Sequence, residues 1–143
     1  MKKPVILVID GQGGRIGKLL VEQLASRADR YEILAVGTNS IATTTMMKAG
    51  AARAGTGENA VIVNCRTADC IIGPLGILVA DSMMGEISPA IATAVGQSPA
   101  IRLLIPLNLC NSYVAGLGPF GIKELIALTL EELDRRFAGE PDA

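Results

Sequence analysis

Val5-Ile6-Leu7-Val8-Ile9-Asp10-Gly11-Gln12-Gly13-Gly14-Arg15-Ile16-Gly17 is an apolar run that breaks into a glycine-rich turn and continues into a helical pattern. It reads as a buried strand, a sharp bend and a helix, the opening unit of a nucleotide-binding α/β fold. Gly11, Gly13 and Gly14 tolerate positive φ and carry no Cβ to obstruct a phosphate. Free N–H groups at the start of the following helix, helped by its dipole, would face that phosphate. The glycines satisfy Gly-x-x-Gly-x-x-Gly at 11, 14 and 17, whereas Gly-x-Gly-x-x-Gly fails because Ile16 occupies the place of its third glycine. The competing reading is a tight βα turn that binds nothing, since a fold of this type does not settle function. One glycine suffices for the bend, and three favour close approach of a ligand. The expected cofactor loop is therefore Gly11, Gln12, Gly13, Gly14, Arg15, Ile16 and Gly17.

Working outward, apolar and turn-forming segments alternate in the way that implies a parallel sheet with crossover helices. Strands are expected at 5–9, 32–36, 51–54, 69–73 and 101–106. Helices are expected at 15–27, with Ile16, Leu19, Leu20 and Leu24 on one face, from the residues after Gly37 to the C-cap Gly50, and at 57–66 behind a Thr56 cap. A further helix starts at Ser88-Pro89 and reaches Gly96, because Ser caps and Pro suits the first turn. The last runs from 121 to 137 with Leu125, Leu128 and Leu133 on its apolar side. Residues 77–80 fit strand or helix, 113–115 fit a short strand, and 140–143 read as a frayed tail. The fold class is α/β, a Rossmann-like, doubly wound and mostly parallel sheet, and residues 1–143 form a single domain, since 143 residues leave no room for a second catalytic domain.

In such a sheet ligands bind beyond the carboxyl ends of the strands, near the point where strand order reverses. Those ends here are the glycine loop, residues 37–40 with Thr38 and Asn39, residues 73–76 with Gly73 and Pro74, and residues 108–111. An NAD site usually places Asp or Glu at the end of its second strand to bind the ribose hydroxyls, and Thr38 and Asn39 stand there instead. A ribose 2′-phosphate would be repelled less, so both NAD and NADP fit, with Arg15 as the nearby cation. Neutral capping of the next helix by this segment is the plainer alternative.

Composition narrows the partners. Hydrophobic residues make up 50% of the chain and charged ones only 19%, with net charge −1. Two tyrosines, two phenylalanines, no tryptophan and no basic cluster exclude the footprint of a nucleic-acid binder. Every apolar run is interrupted before it could span a membrane, and Met1-Lys2-Lys3-Pro4 lacks the features of a secretory signal, which suggests a cytoplasmic protein. A mean hydropathy of +0.42 is high for a monomer. No basic residue lies between Arg66 and Arg102, and Arg102 is the sole charged residue from Ile87 to Ile122. A homo-oligomer follows, with Met83, Met84, Ile87 and Ile91 expected near its interface.

Chemistry-bearing residues are few. There is no histidine and there are three cysteines, which makes a zinc site improbable, and no metal is expected. Cys65, Cys70 and Cys110 read as buried reduced thiols, with Cys110, after a strand end, the best placed to act as a thiolate. Asp10, Glu58, Asp81 and Glu86 interrupt apolar or small-residue sequence and are the carboxylates that could sit in a pocket. For Asp10 the plainer role is to accept hydrogen bonds from turn amides, and for Glu58 it is to stabilise a helix's first turn. Tyr113 completes the groups able to handle a proton.

The run Gly11-Gln12-Gly13-Gly14-Arg15-Ile16-Gly17 resembles the cofactor loop of dihydrodipicolinate reductases, and Ala68-Asp69-Cys70-Ile71-Ile72 is similar to the fourth strand of such NAD(P)-dependent enzymes. That family also uses a histidine-rich catalytic motif and a second domain, and this chain has neither. Over nearly its whole length the sequence resembles instead a family of small bacterial proteins described as a domain of unknown function, common in anaerobic Firmicutes. The stretches Val36-Gly37-Thr38-Asn39, Thr56-Gly57-Glu58-Asn59-Ala60, Ala80-Asp81-Ser82, Gly85-Glu86-Ile87 and Ile105-Pro106-Leu107-Asn108 carry that resemblance, which implies no particular activity. Two functions remain in view: an NAD(P)-binding, reductase-like protein whose site a neighbouring subunit completes, and a nucleotide or metabolite sensor without catalysis.

Overall fold

Alternate residues of the first strand serve two different cores, and this organises the molecule. In a computed structural model describing residues 2–107 and 111–138, β1 (Val5–Asp10) sends Ile6 and Val8 to one face of the sheet and Leu7 and Ile9 to the other, all fully buried. A strand apolar on both faces must be covered on both, which a central strand of a parallel sheet achieves. The remaining elements are α1 (Arg15–Ala25), β2 (Glu32–Gly37), α2 (Ser40–Ala49), β3 (Arg53–Thr56), α3 (Glu58–Cys65), β4 (Cys70–Pro74), a 3₁₀ turn (Leu75–Leu78), α4 (Pro89–Gln97), β5 (Ile101–Ile105) and α5 (Ile122–Phe137). All strand pairings are parallel, in the order β3-β2-β1-β4-β5. Strand order reverses between β1 and β4, the switch point of a doubly wound sheet.

The first core takes Ile16, Leu20, Val21 and Leu24 of α1, Met46 of α2, and Leu125, Ile126, Leu130 and Leu133 of α5. The second takes Val61 and Cys65 of α3, Ile77 of the 3₁₀ turn, and Ile91 and Val95 of α4. Each such side chain contributes about 1.5–3 kcal/mol when fully buried. Cys65 and Cys70 are free thiols inside these cores, and burial pushes them up to about 11 and about 12. They are packing groups rather than nucleophiles.

Several expectations need correction. Met83, Ile87 and Ile91 are not interface residues: they are buried in the second core, Ile91 at 2% exposure, and of the four proposed only Met84 is exposed. The first part of the charge-poor segment, Ile87 to Ala100, is absorbed by the molecule's own second layer. Leu128 faces outward, and Ile126 and Leu130 take its place on the inner face of α5. Residues 113–115 form no strand, and 77–80 are mostly the end of the 3₁₀ turn and a bend. Helix α3 is capped by Gly57, at φ 97°, while the Thr56 hydroxyl pairs with that of Thr43 at 2.7 Å. Strand β3 starts two residues later than expected: the Ala52 amide donates to Ile33 O and so brings the chain to β2, and the paired stretch begins at Arg53. Cys110 and residues 140–143 lie outside the described residues.

Candidate functional site

The apolar run of β1 ends in a carboxylate that ties the turn together. Asp10 is buried, its Oδ1 accepting the Gly11 amide at 2.8 Å and its Oδ2 the Gly17 amide at 2.7 Å. Burial raises its pKa, the amides of Gly17, Gly11 and Ile16 offset part of that rise, and the charge of Glu86 adds to it. Both oxygens are engaged in shaping the turn, the plainer of the two roles the sequence allowed.

The left-handed residues of the loop are Gln12 (φ 50°) and Gly14 (φ 75°), not Gly11 and Gly13. Gly14 is the N-cap of α1, and a Cβ there would meet the Cα of Ala42 at 2.9 Å. At Gly17 a Cβ would run into Met46, and at Gly11 it would come within 2.5 Å of Thr38 Oγ1 and 2.9 Å of Glu86 Oε1. The fold's own packing therefore accounts for these three glycines. Gly13 differs, because a Cβ there would meet nothing within 4 Å and its φ is not left-handed. Its amide, like that of Arg15, has no acceptor among the described residues. A cleft of about 390 Å³ opens beside the loop, lined by Asp10 and residues 11–16 with Leu107 after β5 and Ile122 at the start of α5. Arg15 is exposed and forms no ion pair among the described residues.

Thr38 and Asn39 lie at the end of β2 and are drawn to this loop. Asn39 caps α2 by accepting the Ala42 amide, and its Nδ2 donates to Gln12 O at 2.9 Å. Gly73 and Pro74 end β4 at the same edge of the sheet, yet neither lines the cleft. A Cβ on Gly73 would meet Ile9 O at 2.5 Å, so close packing against β1 explains that glycine. Of residues 108–111 only Asn111 is described, and it is exposed. Glu58 sits in the first turn of α3, as expected, and accepts the hydroxyl of Ser88, the cap of α4. Asp81 and Tyr113 are exposed and do not line the cleft.

Glu86 occupies a place that reading the strand ends could not reveal. Its Oε1 accepts the Thr38 hydroxyl at 2.6 Å, the Gln12 amide at 2.8 Å and Asn39 Nδ2 at 2.8 Å. Burial acts to raise its pKa, but the hydrogen bonds from Thr38, Gln12 and Asn39 outweigh that and hold the carboxyl below its ordinary value. The chain reaches this point through a left-handed stretch, with φ 68° at Asp81, 56° at Met83, 58° at Met84 and 87° at Gly85. Such conformations cost a non-glycine residue about 1–2 kcal/mol each. They persist because the stretch is anchored within and just beyond itself: Met83 and Ile87 are buried, Ser82 donates its hydroxyl to Gly76 O, and the Asp81 amide donates to Ile87 O. The sequence did carry one signal, since Glu86 is the only charged residue between Asp81 and Arg102.

A parallel 3-2-1-4-5 sheet with a glycine loop at its switch point defines a Rossmann-like, doubly wound α/β protein. Residues 5–138 match the family described as Domain of unknown function (DUF3842), and the chain belongs to that family. None of the curated proteins matches it. Among solved structures it is similar to a dodecameric FMN-dependent Ubix-like decarboxylase from Escherichia coli O157:H7, at 15% identity and a TM-score of 0.45, over 97% of this chain and 96% of that one. A likeness at that level bears on neither ligand nor activity. No helix among the described residues is long and apolar enough to cross a membrane.

Proposed function

We propose that this protein binds a nicotinamide dinucleotide, NAD or NADP, with its pyrophosphate against the amides of Gly13 and Arg15. The observation that carries the reading is Gly13: the protein's own packing does not require a glycine there, it lines the open cleft, and its amide has no acceptor among the described residues. Phosphate at a helix N-terminus is favoured by those amides and by the helix dipole. The likeness of residues 11–17 to the cofactor loop of dihydrodipicolinate reductases supports the same ligand class.

Whether the protein is a reductase or a sensor turns on a group that handles protons. Within the cleft the ionisable residues are Asp10, whose oxygens are held by amides, and Arg15. That favours a binding module that senses the nucleotide, unless a second copy brings its own side chain to the cleft. A homo-oligomer remains part of the proposal, now through other residues: Met84 and Tyr113 are 94% and 88% exposed, and Leu117 and Phe120 are exposed on the same segment as Tyr113. Cytoplasmic residence accords with a soluble nucleotide ligand.

Titration calorimetry with NADH, NADPH, FAD, ATP and AMP tests the reading. Binding of a nicotinamide dinucleotide at micromolar affinity is the expected result, and failure of every nucleotide to bind overturns it. If a dinucleotide binds but no carbonyl or imine substrate oxidises it, alone or at concentrations favouring assembly, the sensor stands and the reductase falls.

A further inference from the structure

We infer that Glu86 is the ribose-reading residue of this site and that it selects dinucleotides with a free 2′-hydroxyl, NAD(H), over those bearing a 2′-phosphate, NADP(H). The inference rests on the dinucleotide-binding reading above and deepens it.

In a doubly wound sheet the adenosine ribose lies beside the end of the second strand, where a carboxylate accepts its hydroxyls. The residues that follow β2 here are neutral, Thr38 and Asn39, which in sequence alone leaves room for a 2′-phosphate. The fold removes that room. Glu86 does not itself line the cleft at Gly13 and Arg15; delivered from the segment after β4, it stands where the loop meets the end of β2, with Oε1 at hydrogen-bond distance from both of those side chains and from the Gln12 amide of the glycine loop. The acid that β2 lacks is thus supplied from a distant part of the chain.

Geometry also leaves the carboxylate able to accept more. All three hydrogen bonds fall on Oε1, and Oε2 has no partner among the described residues, which leaves an acceptor for a ribose hydroxyl. The carboxylate is held in place before any ligand arrives, by its three donors and by the left-handed stretch 81–85 that aims it at the loop. Strained backbone of this kind persists where a side chain must be positioned. A 2′-phosphate brought to the same spot would meet a fixed negative charge, with the buried Asp10 a second acid nearby and Arg15 the one basic side chain of the loop. Two anions pressed together in a partly desolvated site repel strongly.

Parallel calorimetry with NADH and NADPH, on the wild-type protein and on Glu86→Gln, tests this. Glutamine keeps an oxygen for Thr38, Asn39 and Gln12 while removing the charge, so the variant changes the reading of the ribose without dismantling the cluster. The wild type is expected to bind NADH about tenfold to a hundredfold more tightly than NADPH, the range that one charge-assisted hydrogen bond supports. In Glu86→Gln that ratio should fall to near one, through weaker NADH binding and stronger NADPH binding. The wild-type ratio stands without any variant, and equal affinities or a preference for NADPH overturn the inference. So does a Glu86→Gln protein that retains the wild-type ratio, or one that loses both ligands in parallel, which would mark Glu86 as a structural brace. If neither dinucleotide binds the wild type, the dinucleotide reading itself falls and this inference falls with it, a result distinct from binding without discrimination.

Discussion

Gly14 lies so close to Ala42 that a Cβ on it would come within 2.9 Å of the Ala42 Cα, whereas its neighbour Gly13 faces open space. Two adjacent glycines in one loop therefore differ: the packing of α1 against α2 requires Gly14, and nothing in the protein's own packing requires Gly13.

Substituting valine at each tests that difference. Gly14→Val places a β-branched residue at φ 75° against fixed backbone and should destabilise the fold by about 2 kcal/mol or more. Gly13→Val should leave stability within about 1 kcal/mol of wild type, as surface changes do, while weakening nucleotide binding at least about tenfold by occupying the phosphate's approach. Thermal unfolding and calorimetry measured side by side decide it. If Gly13→Val binds nucleotide normally, the phosphate does not approach there.

A second prediction concerns the joint between the α1–β2 turn and α5. Tyr31 donates its hydroxyl to Asp134 Oδ1 at 2.8 Å, and Arg27 Nε donates to Oδ2 at 3.0 Å. Burial acts to raise the Asp134 pKa, but the Tyr31 hydrogen bond and the Arg27 and Arg30 charges outweigh it and hold the carboxyl below its ordinary value. A depressed folded-state pKa means that the carboxylate's stabilisation is present above its unfolded value, about 3.9, and is lost as pH falls through the folded one. Asp134→Asn should cost about 1–2 kcal/mol at pH 7. The gap in Tm between wild type and variant should narrow progressively below about pH 4. A gap that stays constant down to about pH 2 would show that ionisation of Asp134 contributes nothing.

The strand-and-helix alternation was legible because it rests on local pattern: β1 carries an unbroken apolar run, and Ser88-Pro89 announces α4 by cap chemistry that needs no tertiary partner. The glycine loop and the switch point followed from that order. What the sequence could not convey depends on contacts across the fold. Asp10, Thr38, Asn39 and the loop could be placed from strand ends, but Glu86 reaches them through a left-handed detour whose Met83 and Met84 are residues that rarely adopt such φ. The charge-poor stretch from Ile87 misled in the opposite sense. Sparse charge signals burial without saying what does the burying, and in Ile87, Ile91 and Val95 it was the second core.

That distinction yields the last prediction. Ile91 is 2% exposed and packs in the second core, so Ile91→Glu should unfold the protein rather than dissociate an assembly. Tyr113 is 88% exposed on a segment that also carries exposed Leu117 and Phe120, and burying a large apolar side chain between copies is worth about 1.5–3 kcal/mol. Tyr113→Glu should therefore leave the monomer fold intact and weaken self-association by about tenfold to a hundredfold. Sedimentation velocity across a micromolar dilution series, with circular dichroism as the control for folding, reads both outcomes. An assembly that Tyr113→Glu leaves intact would move the interface elsewhere on the surface, and a wild-type protein that sediments as a monomer throughout would show that these exposed side chains meet no second copy.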